Sequence, residues 1–579
     1  MVGNSASIRT RIVVLSVLCG VVALVFIGRL FKLQVRDSDK YREQADGQYV
    51  VPTGSSFNRG SIYFTKRDGQ LVTAATVMTG YKVAITPRLL TDVEGTYTQI
   101  SAIIPIEKEE FMKKADRISD PYEEIATRAT KEQSDALNKL EIPGLVISPE
   151  KWRFYPGENL ASKALGFVSF KGDDLIGRYG LERHYNDVLS RQSKNLYSNF
   201  FAEVFSNIND SFFGEESTRE GDLVTTLEPV VEGSFERTLA DALDAWDADA
   251  VGGIIMDPKT GEIMAMVHLP DFNLNNFSKE KSVSIYNNPN VENVYELGSV
   301  IKPLVMARGI EAGVVSADTS YTDNGFVMIE GKRLNNFDRK GRGPGTTMQD
   351  VLNQSLNTGM VLVMEKLGKE KFRDGMLAYG LGEKTGVDLP GEVDGLVRNL
   401  QSTRTLEYAT SSFGQGIAIT PIAAMRAFSS LANGGYLVTP HLVKEIKYED
   451  GSSRAITYPI AGAEENRVLT QEASEEITRM LVTVVDKALG DGVHTMKHHS
   501  IAAKTGTAQV AREDGGGYYE DRNMHSVFGY MPAYDPRFLV YIYAINPKNG
   551  ARFASQTLAD PFFDIISFLV SYYTVPPDR

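Results

Sequence analysis

Three short groups of residues in this chain have the types and order needed for acyl transfer. They are Ser299-Val300-Ile301-Lys302, Ser355-Leu356-Asn357 and Lys504-Thr505-Gly506-Thr507. A serine hydroxyl is a poor nucleophile until a base takes its proton. Ser299 and Lys302 are three residues apart, so on a helix they share a face. Lys302 acts as that base only when neutral, and burial lowers a lysine pKa. Lys504, a second cation, would push in the same direction. Ser355 can relay the proton. The Asn357 amide can hold both Lys302 and a substrate backbone. Lys504, Thr505 and Thr507 suit a substrate carboxylate, and Gly506 removes a side chain where a substrate must pass. The N–H groups of Ser299 and Thr507 would form an oxyanion hole, where losing one donor costs about 10²–10³ in rate.

Each pattern alone is weak. Ser-x-x-Lys recurs at Ser148 and Ser278, Ser-x-Asn at Ser56 and Ser193, and Lys-Thr-Gly at Lys259 and Lys384. Context chooses among the copies. Ile301, Leu304 and Val305 begin a buried helical stripe beside Ser299, and Pro303 falls in the first turn, where a missing N–H is tolerated. Ser148 precedes Pro149, which disfavours the helical conformation. Ser278 lies among charges with no stripe to bury a lysine. Lys259 sits in a turn and Lys384 in a loop after a helix. Lys504 alone is bracketed by strand-like residues, and an edge strand there can present its backbone to an extended peptide.

The elements that position these groups can be sketched. Residues 251–256 and 262–267 read as two strands joined by the turn Asp257-Pro258-Lys259-Thr260-Gly261. Helical segments follow. Strands are expected again at 501–510 and 526–531, separated by a Gly-rich loop at 513–518, and an apolar helix at 562–573. Early and late strands with helices between them imply one sheet in which the N- and C-terminal strands are neighbours. Upstream, residues 36–220 read as a mixed α+β spacer with a helical stretch over 107–140, broken near Pro121. The polar run 207–222 marks a boundary.

The net charge of −13 argues against a phosphate-backbone partner, so no nucleic acid is expected. The single cysteine, Cys19, excludes an internal disulfide. Residues 12–28 carry no charge and span about 25 Å as a helix, close to a bilayer core. Leu30, Phe31 and Leu33 extend the apolar face, so an uncleaved transmembrane anchor is expected over 12–33. Arg9 and Arg11 precede it without an acid, which puts residues 1–11 in the cytoplasm and the rest outside. His494, His498 and His499 have helical zinc spacing, but no Glu lies inside the motif. They read as loop residues. Neither a metal nor a cofactor is expected.

The ordered triple set resembles that of penicillin-binding proteins and β-lactamases. More of the chain resembles the class B penicillin-binding proteins: Met256-Asp257-Pro258-Lys259-Thr260-Gly261-Glu262, Phe413-Gly414-Gln415-Gly416, Leu431-Ala432-Asn433-Gly434-Gly435 and Phe528-Gly529-Tyr530 late in the chain, and Arg59-Gly60-Ser61-Ile62, Arg153-Phe154-Tyr155-Pro156 and Gly180-Leu181-Glu182 early in it. Leu297 stands where that family usually has Pro. The resemblance implies an α/β (α+β) molecule: an elongated α+β pedestal over 36–220, then a transpeptidase domain over 221–579 with an antiparallel sheet between helical regions. It implies a peptidoglycan D,D-transpeptidase in the cell membrane, acting on stem peptides ending in D-Ala-D-Ala through a Ser299 acyl-enzyme and trapped there by β-lactams. It also implies a SEDS-family glycan polymerase as partner. The short cytoplasmic tail favours the division type. Two alternatives stand beside this: a β-lactamase or β-lactam sensor, which shares the motifs, and an inactive scaffold, which would show a damaged motif.

Overall fold

The structure is a computed structural model that describes residues 57–172, 174–191, 219–489, 495–512 and 517–579. The expected tail and anchor (1–33), residues 207–218 of the polar boundary, His494 and residues 513–516 of the Gly-rich loop lie outside the described residues. Among the described residues no helix is long and apolar enough to cross a membrane. The chain divides into two compact units, one from Met1–Phe57 and Thr79–Lys151, the other from Asn58–Met78 and Trp152–Arg579.

In the smaller unit the helical stretch expected over 107–140 is broken around Pro121, as expected, but a strand that was not expected follows the break. The stretch is a helix at Lys108–Ala115, a strand at Glu123–Ala129 and a second helix at Lys131–Asn138. The second helix starts afresh because Thr130 and Gln133 form a capping box. The strand pairs antiparallel with Tyr81–Ile85. Val83, Ile85, Ile100, Phe111 and Leu137 fill the core of this unit.

The larger unit holds a five-stranded antiparallel sheet. Its strands are β1 (Ala250–Met256), β2 (Ile263–Leu269), β3 (Ala502–Ala511), β4 (Tyr518–Met531) and β5 (Phe538–Ile545), in the order β3-β4-β5-β1-β2. The early strands therefore lie beside the late ones, as expected. The β1–β2 turn is held by Asp257 Oδ1, which accepts from the N–H of Lys259 at 2.7 Å and of Thr260 at 3.3 Å. The central strand β5 was not anticipated between 531 and the final helix. Its sequence, FLVYIYAI, is apolar on both faces because both faces are covered.

Side chains on the central strands of the sheet alternate between two cores. Ile254, Met256, Phe528, Leu539, Tyr541 and Tyr543 enter one. Val251, Ile255, Val527, Val540 and Ile542 enter the other. The second core is closed by α1 (Pro229–Trp246) through Phe235 and Leu239, and by α7 (Ala559–Tyr573) through Phe562 and Ile566. The first is closed by α2 (Lys302–Glu311), α4 (Asn357–Leu367), α5 (Pro421–Ala432) and α6 (Gln471–Lys487), with α3 (Met348–Asn353) leading into α4.

Three early motifs meet in this unit. Glu182, 0% exposed, takes Arg59 Nε at 2.5 Å on one carboxylate oxygen and Arg153 Nε at 2.6 Å on the other. Tyr155 Oη donates to the same carboxylate at 3.2 Å, and Arg153 also donates to the Gly60 carbonyl at 2.7 Å. Segments far apart in the chain are thus pinned at one buried point.

Candidate active site

Ser299 stands in one turn of 3₁₀ helix, Gly298–Ile301, that runs directly into α2. Lys302 is the first residue of α2 and Pro303 the second, where its missing N–H costs nothing. The turn depends on close backbone approach. Gly298 has φ 61°, and a Cβ on Gly414 would lie 2.1 Å from the Gly298 carbonyl oxygen. The Phe413–Gly416 loop is thereby seated against the nucleophile turn.

Lys302 is 0% exposed. Its Nζ donates to the Ser355 carbonyl at 2.7 Å, to Ser355 Oγ at 3.2 Å and to Asn357 Oδ1 at 2.8 Å. Burial, and then the nearby Lys504 cation, hold its pKa well below the ordinary lysine value. Three acceptors suit an ammonium and burial suits the neutral amine, so the group is poised between the two states. Ser299 is half-buried, and its Oγ has no hydrogen-bond partner among the described residues.

Ser355 lies in the link between α3 and α4 with φ 53°, in the left-handed region. A serine there is strained by about 1 kcal/mol or more. That conformation lets both its carbonyl and its hydroxyl reach Lys302. Lys504 Nζ donates to the same hydroxyl at 3.2 Å and to the Thr505 carbonyl at 2.9 Å. Lys504 is 2% exposed, and burial pulls its pKa down to about 7.

β3 is the edge of the sheet, paired only with β4. Thr507 is held through Oγ1, which accepts from the Ala554 N–H at 3.1 Å. Gly506 answers a need other than substrate passage. A Cβ there would lie 2.8 Å from the Leu297 carbonyl oxygen and 2.9 Å from Val300 Cγ1. The glycine admits the nucleophile turn against the strand. The Ser299, Ser355–Asn357 and Lys504–Thr507 segments are thus brought together in one place.

Ser56 and Ser193 lie outside the described residues, and the other described motif copies lie elsewhere. Lys259 is in the β1–β2 turn, Ser148 in a strand of the smaller unit, Ser278 in a short 3₁₀ turn and Lys384 in the loop past the helix Lys369–Ala378. His499 packs its Nε2 at 3.2 Å from the Val575 carbonyl.

Sequence reading missed several supporting residues. Asn335 uses its carbonyl to accept from Asn357 Nδ2 at 2.9 Å, which fixes which end of that amide faces Lys302. Glu296 accepts from Tyr518 Oη at 3.1 and 2.9 Å, joining the nucleophile segment to β4. Glu296, an acid three residues before Ser299 in apolar surroundings, could have been noticed. Nothing in the sequence ties Asn335 to residue 357. Phe337 and Phe553, both exposed, meet edge to face at 5.5 Å. One is two residues from Asn335, the other next to Ala554, so the rings stand beside this same site.

Residues 251–567 match the family described as the penicillin binding protein transpeptidase domain. Residues 56–197 match the penicillin-binding protein dimerisation domain. Stage V sporulation protein D of Bacillus subtilis is 30% identical over 96% of this chain and 84% of its own. Peptidoglycan D,D-transpeptidase FtsI of Escherichia coli is 24% identical over 97% of this chain and 92% of its own. The crystal structure of penicillin binding protein 2X from Streptococcus thermophilus shares the fold with a TM-score of 0.71, at 19% identity, over 90% of this chain and 81% of that one. On both the site and the relatives, the chain belongs to the penicillin-binding protein transpeptidase family.

Proposed function

We propose that this chain is a peptidoglycan D,D-transpeptidase working through a Ser299 acyl-enzyme. The observation that carries the proposal is the buried Lys302, one turn from Ser299, ringed by Ser355 and Asn357 with its pKa depressed. Ser299 Oγ attacks the carbonyl carbon of the penultimate D-Ala, and its proton passes to Lys302 Nζ. The N–H groups of Ser299 and Thr507 hold the oxyanion. The C–N bond then breaks, the leaving amine takes the proton through Lys302 and Ser355, and D-Ala departs. An amine from a neighbouring stem peptide attacks the ester, its proton returns to Ser299 Oγ, and the cross-link is released. Lys504, Thr505 and Thr507 bind the terminal carboxylate. Asn357 holds the substrate backbone while keeping Lys302 in place. Penicillins enter as mimics and stay on Ser299.

Residues 12–33 anchor the protein in the cell membrane, with 36–220 as pedestal and 221–579 as the catalytic domain outside it. The apolar, uncharged run at 12–28 supports this. A SEDS-family glycan polymerase is the proposed membrane partner.

The test is covalent labelling of the full chain in detergent with a fluorescent penicillin, followed by mass spectrometry. Label on Ser299, lost in Ser299→Ala and slow to decay, is the expected result. Rapid decay would replace the transpeptidase with a β-lactamase. No label on folded protein would remove the proposal.

A further inference from the structure

Asn357 is the first residue of α4 and Thr358 the second. The first N–H groups of a helix have no intrahelical partner. Leu356, the residue before this helix, cannot cap them. A distant segment does so. Asn336 Oδ1 accepts from the Thr358 N–H at 3.2 Å. Its Nδ2 donates to the two carboxylate oxygens of Asp323 at 3.1 and 3.0 Å. Thr358 Oγ1 donates to Asp323 Oδ1 at 2.8 Å and lies 2.9 Å from Tyr321 Oη. Asp323 also accepts from the N–H groups of Gly325 at 2.9 Å and Arg342 at 3.0 Å. Asp323 and Asn336 are each 1% exposed and Thr358 is 6% exposed.

A buried carboxylate so enclosed is costly to arrange and holds whatever donates to it. Two consecutive residues, Asn335 and Asn336, grip two consecutive residues, Asn357 and Thr358. Asn335 takes the Asn357 amide nitrogen; Asn336 takes the Thr358 backbone. The amide torsion of asparagine is otherwise broad. With Nδ2 committed to the Asn335 carbonyl, Oδ1 is left facing Lys302.

We propose that Asp323, Asn336 and Thr358 are positioning residues that set the Asn357 amide against Lys302. This rests on the acyl-serine function proposed above. It extends the machinery to a buried carboxylate that none of the three motifs contains.

The consequence is a shift in pH dependence. An oxygen accepting from Lys302 Nζ favours its charged form. If Asn357 turns away, that support is lost and the lysine becomes neutral at lower pH. Lys504 on β3 is the charged group that acts on Lys302, and its influence is common to every variant.

The experiment compares wild type, Thr358→Val, Thr358→Ser and Tyr321→Phe by rate of Ser299 labelling across pH, with thermal unfolding alongside. Thr358→Val keeps the shape and removes the hydroxyl. It should acylate about tenfold more slowly at the pH optimum, with the acidic limb moved down by about half a unit or more. Thr358→Ser should restore both. Tyr321→Phe, at the half-buried edge, should show a smaller shift of the same sign even if Thr358→Val folds poorly. An unchanged limb in Thr358→Val and Tyr321→Phe, whether the rate holds or falls with the folded fraction, would overturn the inference while leaving the function intact. Absence of Ser299 labelling in wild type would remove both.

Discussion

At Glu182 two arginines share one carboxylate; at Ser355 two lysines share one hydroxyl, and among the described residues no carboxylate pairs with either. Both clusters lie in the larger unit, both are buried, and both join segments remote in sequence. They treat charge differently. Burial pushes the Glu182 pKa up, but Arg153 and Arg59 outweigh it and hold the carboxyl below its ordinary value. Charge there is matched and fixed. Arginine suits that use because it stays charged and its planar fork meets a carboxylate. Lys302 and Lys504 have depressed pKa values because nothing anionic repays their burial. Lysine suits that use because its proton can leave. The first cluster ties remote segments together; the second keeps two buried lysines without a carboxylate among the described residues, at the expense of stability, as the proposed reactive site requires.

If so, the two clusters should respond to mutation with opposite signs. Glu182→Gln leaves two buried guanidiniums uncompensated. It should lower stability by about 3–5 kcal/mol, read by chemical unfolding, while the fraction still folded labels Ser299 at the normal rate. A loss of labelling rate without a loss of stability would break the comparison. Lys504→Met does the reverse. It should raise stability by about 1–4 kcal/mol, because an unpaired buried cation is replaced by an apolar chain of similar length. Labelling should fall by about 10² or more as the carboxylate contact is lost.

These two clusters also differ in how much of them the sequence disclosed. Ser299, Lys302, Ser355, Asn357 and Lys504 could be picked out because few residue types can do the chemistry and local context set most copies of each pattern aside. The arginine and glutamate positions were visible as motif fragments, but nothing local said that Arg59, Arg153 and Glu182 touch. Fold legibility followed the same rule. The β1–β2 turn, strands β3 and β4 and helix α7 carry local signals. Strand β5 lost its alternation because it is covered on both faces. The segment over 107–140 is rich in Glu and Lys, which favour helix, and the strand at 123–129 shows itself only through pairing with Tyr81–Ile85. Gly506 was read as room for substrate because the segment that needs the space, Leu297–Val300, is distant in the chain. Asp323 and Asn336 could not be found from sequence for the same reason.

The paired and unpaired clusters should also separate along pH. The Lys504 pKa is about 7 in the folded chain against an ordinary 10.5. Between those values the unfolded chain holds the extra proton, so stability should rise with pH across that window. Lys504→Met should flatten the rise. Glu182 contributes with the same sign in a lower window: its depressed pKa gives stability that is present above the ordinary carboxylate range and lost as pH falls through the folded value. Labelling should form a bell. Its acidic limb follows the loss of the Lys302 proton, and its alkaline limb follows the loss of the Lys504 charge near pH 7. Unfolding and labelling measured over one pH series would separate the contributions.

The smallest effect concerns the residue both lysines share. Ser355 holds a left-handed backbone, φ 53°, that a Cβ makes unfavourable. Ser355→Ala and Ser355→Gly remove the same hydroxyl, so both should lose labelling to the same extent. They differ only in strain. Alanine keeps the Cβ in the left-handed region, whereas glycine adopts it freely but loses more entropy on folding. The relief should exceed that loss, leaving Ser355→Gly more stable than Ser355→Ala by about 0.5–1 kcal/mol. Equal stabilities would mean that the backbone here is relaxed and that the hydroxyl alone explains the serine. A more stable glycine variant would show that the unpaired cluster stores its cost in the backbone as well as in its charges, which the cluster at Glu182 does not do.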